Sequence, residues 1–128
     1  MISIALIGAG ARGKVLAEYA ARHPEANLRA VVDVDAERSR RFCQRFHPGA
    51  RAVTIEQLPH LNVDAWIIAT PDASHCHYVR LGITCNVHVL CEKPVGISLD
   101  ELDFLDAALG QCGNDRVIMS AFVLRHHK

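Results

Sequence analysis

The chain has 128 residues, and 14 Lys and Arg balance 14 Asp and Glu. Half of it is hydrophobic and 22% is charged, which excludes a disordered tail or a disulfide-held miniprotein and leaves one domain with one core. A neutral chain has no overall pull toward nucleic acid or anionic lipid, so any anion it holds is held locally.

Short apolar runs alternate with amphipathic segments from the first residue onward. Residues 2–7 form an apolar run suited to a buried strand that stops at Gly8. Residues 14–22 carry Val15, Leu16, Tyr19 and Ala20 at helical spacing, with Pro24 as the stop. Residues 28–32 read as a second strand ending at Asp33, and 37–46 as a surface helix whose thin apolar side is Phe42, Cys43 and Phe46. A short third strand follows at 51–53, then one helical turn at 55–58 closed by Pro59. Residues 65–69 form the clearest later strand, ended by Thr70-Pro71, and 75–82 a helix with Tyr78, Val79 and Leu81 inward. A fifth strand spans 87–91. A helix follows at 99–109, with Ser98 as its cap and Glu101 at capping-box spacing. A sixth strand covers 117–122. Such alternation implies an α/β fold: a doubly wound parallel sheet, or Rossmann fold, of about six strands in the order 3-2-1-4-5-6.

Gly8-Ala9-Gly10-Ala11-Arg12-Gly13 is a G-x-G-x-x-G stretch between a strand and a helix. Each glycine has its own reason. Gly8 permits a tight turn, Gly10 lets a pyrophosphate approach the backbone, and Gly13 lets helix and strand pack closely. The helix start then offers free N–H groups to phosphates. Asp33 lies 20 residues beyond Gly13, at the end of the second strand, placed to accept hydrogen bonds from an adenosine ribose. A carboxylate there favours NAD over NADP. Arg38, Arg40, Arg41 and Arg45 crowd the next helix; they form a solvated face, or Arg38 pairs with a 2′-phosphate. S-adenosylmethionine is the alternative ligand for a glycine-rich first turn, but it has no pyrophosphate to require all three glycines.

In a doubly wound sheet, chemistry sits outside the carboxyl ends of the strands. That directs attention to Ala69-Thr70-Pro71-Asp72-Ala73-Ser74-His75 after strand four, and to Cys91-Glu92-Lys93-Pro94 after strand five. A cation near a reacting oxygen stabilises negative charge there. The plain alternatives are a surface lysine paired with Glu92 and a His75 that merely starts a helix. His75 and His77, two apart, point to different helix faces, so no metal site is expected. His126-His127 reads as a solvated terminus.

These residues together resemble the glucose-fructose oxidoreductase, inositol dehydrogenase and MocA-like oxidoreductases, over essentially the whole chain. The most specific element is Glu92-Lys93-Pro94, supported by the glycine stretch, Val31-Val32-Asp33 and Ala69-Thr70-Pro71 with His75. The resemblance implies an enzyme that moves a hydride between a nicotinamide and a hydroxyl-bearing carbon of a sugar, cyclitol or related polyol. It implies Lys93 as the catalytic residue between cofactor and substrate, and a cis peptide before Pro94. Cofactor contacts are expected from Gly8, Gly10, Ala11, Arg12, Gly13, Asp33, Arg38, Thr70, Pro71, His75, Glu92, Lys93 and Pro94. NAD comes first as cofactor, with NADP second. Residues 1–122 are then the dinucleotide domain, and 123–128 begin the connection to a C-terminal substrate domain that mediates homo-oligomers. This piece is expected to bind cofactor without efficient turnover. Two other functions fit the same motifs: an NAD-dependent glycosidase, and a regulator that binds the dinucleotide as a signal.

No apolar run nears the ~18 residues of a membrane span, and the N-terminus lacks a basic start and a cleavage site. The five cysteines are odd in number and contain no Cys-x-x-Cys pair. They read as reduced thiols of a cytoplasmic protein.

Overall fold

The computed structural model describes residues 1–113 and 115–122. The expected connection 123–128, with His126-His127, lies outside the described residues. The strands are β1 (Ile2–Ile7), β2 (Ala26–Val32), β3 (Arg51–Val53), β4 (Ala65–Ile68), β5 (His88–Glu92) and β6 (Ile118–Ala121). They form one parallel sheet in the order β3-β2-β1-β4-β5-β6, the order the alternation predicts.

Among the described residues, four α-helices cover the sheet: α1 (Ala11–Arg22), α2 (Ala36–Phe46), α3 (His75–Thr84) and α4 (Leu99–Gly110). Successive strand residues point to opposite faces, and the core divides accordingly. Ile4, Leu6, Val31 and Ile67 pack with Ala17 of α1 and with Phe42 and Cys43 of α2. Ala5, Ile7, Val32, Ile68 and Cys91 pack with Tyr78 and Val79 of α3 and Leu105 of α4. Leu16 and Tyr19 of α1 also flank an apolar groove of about 500 Å³ floored by Ala65, Leu90 and Met119. Ile7, Val32 and Ile68 stand in register, so β1, β2 and β4 end side by side. The glycine turn and the two loops singled out above therefore emerge along one sheet edge.

Several boundaries differ from the sequence-based expectation, each for a local reason. Helix α1 begins at Ala11 rather than residue 14, because Gly10 is its N-cap and accepts the Lys14 N–H at 3.0 Å. Strand β2 starts two residues early, at Ala26, where it pairs with Ile2 of β1. The turn expected at 55–58 is a 3₁₀ turn at Leu58–His60 with Pro59 inside it; proline is tolerated in a first turn, where its missing N–H is not needed. Helix α3 runs through Gly82 to Thr84. A Cβ on Gly82 would stand 2.6 Å from Val89 Cγ2 and 3.3 Å from the Trp66 ring, so this glycine provides packing room rather than a stop. Strand β5 is shifted by one residue, so Glu92 is its last member. Ser98 Oγ caps α4 by accepting the Glu101 N–H at 3.2 Å, but Glu101 Oε2 accepts from Ile97 N–H at 2.7 Å rather than from the cap residue.

Candidate functional site

A cleft of about 360 Å³ opens at the carboxyl edge of β1, β2 and β4. Gly8, Gly10, Ala11 and Arg12 line one side, Asp33 and Arg38 a second, and Thr70 and Pro71 a third. The turn from β1 to α1 follows from its three glycines. Gly8 has φ +99°, and a Cβ there would stand 2.4 Å from the Ala69 carbonyl oxygen. A Cβ on Gly13 would stand 2.0 Å from the Gly8 carbonyl oxygen, so this residue lets α1 close against the turn. A Cβ on Gly10 would meet no atom within 4 Å. The protein does not need a glycine at position 10 for its own packing, whereas a ligand approaching the backbone does.

The start of α1 has no side-chain cap. The first-turn N–H groups of a helix have no intrahelical partner and carry the positive end of its dipole. They open here onto the cleft, which suits an anion.

Asp33 is buried, and its two oxygens are used differently. Oδ2 accepts the Ala9 N–H at 2.8 Å, fastening the end of β2 to the glycine turn. Oδ1 accepts the Asp35 N–H at 2.9 Å and faces Arg38 Nη1 at 3.3 Å. Arg38 also lies 3.8 Å from Asp35, whereas Arg40 and Arg41 pair with Glu37 on the outer face of α2. Of these, only Arg38 lines the cleft. Asp35 is the N-cap of α2, and the Arg38 N–H it accepts holds its carboxyl below the ordinary range.

The third wall has its own fastenings. The Ser74 hydroxyl sits 2.7 Å from Thr70 Oγ1 and 2.8 Å from the Pro71 carbonyl oxygen. His75 is buried outside the cleft lining. Its Nδ1 stands 2.6 Å from the Pro94 carbonyl oxygen and its Nε2 2.8 Å from that of Thr70. Each contact is a hydrogen bond when the facing nitrogen carries a proton. His75 thus ties the loop after β4 to the turn after β5. His77, two residues on, is exposed.

Glu92, Lys93 and Pro94 do not line the cleft but adjoin it through Arg12. The Glu92 carboxylate, nearly buried, accepts from Arg12 Nε and, at 3.2 Å, from the Lys93 N–H. Its ion-pair partner is therefore Arg12, not the Lys93 ammonium considered from the sequence. The Lys93 side chain is exposed and makes no ion pair among the described residues, and Lys93-Pro94 is cis. Lys93 is thus flanked by a residue held by Arg12 and a residue held by His75.

Ser74, within the loop the sequence pointed to, and Tyr78, which the sequence did not point to, both line the cleft. Ser74 sits one helical turn beyond Thr70, a spacing that hints at their contact. Tyr78 reads from sequence only as core. It is in fact largely buried with one side on the cleft, and burial, then the Asp33 charge, push its phenol up. All five cysteines are free, and burial followed by the Glu92 charge pushes the Cys91 thiol up to about 12.

A parallel six-stranded sheet, a glycine turn running into an uncapped helix and an acid at the end of β2 define a dinucleotide-type Rossmann domain. The chain belongs to the GFO/IDH/MocA oxidoreductase family with an NAD-binding Rossmann fold, whose family model matches residues 2–118. It is 30% identical over 109 residues to the oxidoreductase YrbE of Bacillus subtilis, covering 84% of this chain and 32% of that protein. It is 32% identical over 100 residues to an inositol 2-dehydrogenase of Rubrobacter xylanophilus, covering 77% of this chain and 29% of that one. Among solved structures, GenD2 from gentamicin A biosynthesis, in complex with NAD, superposes with a TM-score of 0.81 at 31% identity, covering 93% of this chain and 33% of GenD2. The scyllo-inositol dehydrogenase of Lactobacillus casei shares the fold with a TM-score of 0.89 at 23% identity, over 99% of this chain and 38% of that one. The chain spans about a third of the length of the curated relatives it matches. No helix among the described residues is long and apolar enough to cross a membrane.

Proposed function

We propose that this chain is the dinucleotide-binding domain of an NAD(P)-dependent dehydrogenase acting on a hydroxyl-bearing carbon of a sugar, cyclitol or related polyol. One observation carries the reading: the uncapped start of α1, the open space at Gly10 and the buried Asp33 face a single cleft. A pyrophosphate fits the helix start, and an adenosine ribose fits beside Asp33. The inositol 2-dehydrogenases and the glucose-6-phosphate 3-dehydrogenase among the relatives support the substrate class.

When bound, the nicotinamide supplies the hydride chemistry. The chain's own task is placement and charge. Gly8 and Gly13 shape the turn, Gly10 admits the phosphates, and Asp33 receives ribose hydroxyls. Thr70 and Pro71 form the wall toward the nicotinamide half, with His75 and Pro94 behind it. Lys93, with its free ammonium on an anchored turn, stands at the reacting oxygen and stabilises charge or passes a proton there. Residues 1–122 form this domain and 123–128 lead into a C-terminal substrate domain through which the protein forms a cytoplasmic homo-oligomer.

Calorimetric titration with NAD, NADH, NADP and S-adenosylmethionine tests the reading. Saturable binding of a nicotinamide dinucleotide, weakened by Asp33→Ala, supports it; binding of S-adenosylmethionine alone overturns it. In the longer protein, Lys93→Ala is expected to abolish turnover while cofactor affinity stays within threefold (an order-of-magnitude bound for a side chain whose work is done in the transition state). A regulator would show no turnover to lose.

A further inference from the structure

The two faces of the sheet are covered unequally. Leu6, Ile67, Leu90 and Met119 stand side by side across β1, β4, β5 and β6 and point to the α1 side. Exposure climbs along that row: Leu6 is 0% exposed, Ile67 5%, Leu90 partly, and Met119 46%. Val117, two residues before Met119 and so on the same face, is 60% exposed. On the opposite side the neighbouring row, Ala5, Trp66, Val89 and Ile118, packs with α3 and α4 out to the edge strand.

Crossover handedness produces this asymmetry. The steps from β1 to β2 and from β2 to β3 run one way along the sheet and place α1 and α2 on one side. Those from β4 to β5 and from β5 to β6 run the other way and place α3 and α4 on the opposite side. No helix joining two of these strands can therefore cover the α1 side of β4, β5 and β6. Its side chains are nevertheless apolar, and parallel sheets are buried on both faces. Leu16 and Tyr19 of α1 border the same space, Tyr19 being 65% exposed, and complete a corner of about 500 Å³ with a sheet floor and one helix wall.

The shape and position of the corner select its occupant. A convex apolar helix lying beside α1 meets both surfaces at once, ridge against groove on α1 and flat on the sheet. A helix of about 12 residues matches α1 in length. In a two-fold pair, a second copy would bring the same concave corner instead. The outer strand of the floor is β6, last in the chain and at the edge of the sheet. A chain leaving its carboxyl end needs only one reversal to run back along the corner. The curated relatives, of which the chain spans about a third, have the length to supply that helix.

We propose that an amphipathic helix from the chain beyond residue 128 docks in this corner, so that the following domain is packed on the sheet rather than tethered to it. The inference rests on the reading above that a substrate domain follows, and adds where that domain is held. Leu90 on the floor lies three residues before Lys93. The docked helix thus grips the strand that carries Lys93 to the cleft edge and fixes the substrate domain relative to it.

Two measurements on the longer protein test this, with the 128-residue chain, which has buried cores of its own, as the reference. With p-benzoylphenylalanine in place of Tyr19, irradiation is expected to link position 19 to a residue beyond 128 of the same chain, as peptide mapping would show. A link between two chains assigns the face to a second copy and overturns the inference, and so does the absence of any link. Met119→Asp is expected to shift the Tm of the 128-residue chain by no more than about 2 °C, as an exposed edge position allows. It is expected to lower that of the longer protein by about 5 °C or more, because the helix would bury the charge. Equal shifts in the two overturn the docking. NADH titration of the same samples keeps the readings apart: cofactor binding with neither link nor differential shift overturns the docking alone. A native protein whose intact mass is that of the 128 residues alone overturns the following domain and the docking together.

Discussion

Alanine substitutions at Gly10 and Gly13, three residues apart, are expected to separate folding from binding. At Gly13 a Cβ would stand 2.0 Å from the Gly8 carbonyl oxygen, where ordinary contact begins at 3.4 Å. The Cβ is fixed by the backbone and the atom it meets is backbone, so no rotamer change relieves the collision; α1 must move off the turn. Overpacking of this kind costs about 3 kcal/mol. For a domain of this size that is a fall of roughly 10 °C in Tm. At Gly10 a Cβ meets nothing within 4 Å, and φ −83° with ψ −172° is open to any residue. Two small terms oppose each other there. Alanine restricts the unfolded chain, which stabilises by about 0.4–1 kcal/mol, and it is a poorer N-cap than glycine by a similar amount. Gly10→Ala is therefore expected to melt within about 2 °C of the unmodified chain. The methyl instead fills space that a pyrophosphate approaching the backbone needs, so NADH affinity is expected to fall about tenfold or more, or at least ~1.4 kcal/mol. Thermal unfolding followed by circular dichroism, with NADH titration on the same samples, measures both. Gly10→Ala melting as low as Gly13→Ala, or binding NADH as the unmodified chain does, would refute the division of labour.

Other expectations follow from individual contacts. Arg38→Ala removes the cation facing Asp33 and is expected to weaken NADP by about tenfold while NAD changes far less; equal losses for both in calorimetry would count against Arg38 as a 2′-phosphate partner. Cys91, with its thiol pushed up to about 12 and fully buried, should resist iodoacetamide at pH 8 in the native protein and react only on unfolding, as mass spectrometry of the labelled chain would report. The Asp64 carboxyl accepts from the Ser3 hydroxyl at 2.6 Å and the Ser3 N–H at 2.7 Å, which hold it below its ordinary 3.8. A lowered carboxyl contributes stability that is full above the unfolded value and lost as pH falls through the folded one. Ser3→Ala should therefore lower Tm more at pH 6 than at pH 2.5. A gap between the two proteins that does not narrow on acidification would contradict that linkage.

The order of elements was legible because its signals are local. Runs such as Ile2–Ile7, helical spacing on α1 and α3, the Ser98 cap and the glycine turn are written within a few residues of one another. Alternation and right-handed crossovers then fix the sheet order. The packing roles of Gly8 and Gly13 needed only the rule that a missing Cβ matters where backbones come close. Element ends were less legible: the helix expected over 75–82 runs on to Thr84, and Trp66 and Val89 make Gly82 a packing position within it.

What only the tertiary structure decided lies between residues far apart in the chain. Sequence suggested Glu92 as a partner of adjacent Lys93, yet β5 delivers its carboxylate to Arg12, 80 residues away. His75 reads as a helix start or a cleft residue, and the fold buries it between the carbonyls of Thr70 and Pro94. Tyr78 reads as core, and the end of β2 brings a cleft to its side. A buried charge or ring takes whichever partner the packed strands bring within hydrogen-bond reach, because leaving it unpaired away from water costs more than any local preference supplies. Propensity and turn chemistry set the path of this chain; the pairings across its sheet edge were set by desolvation once that path had closed.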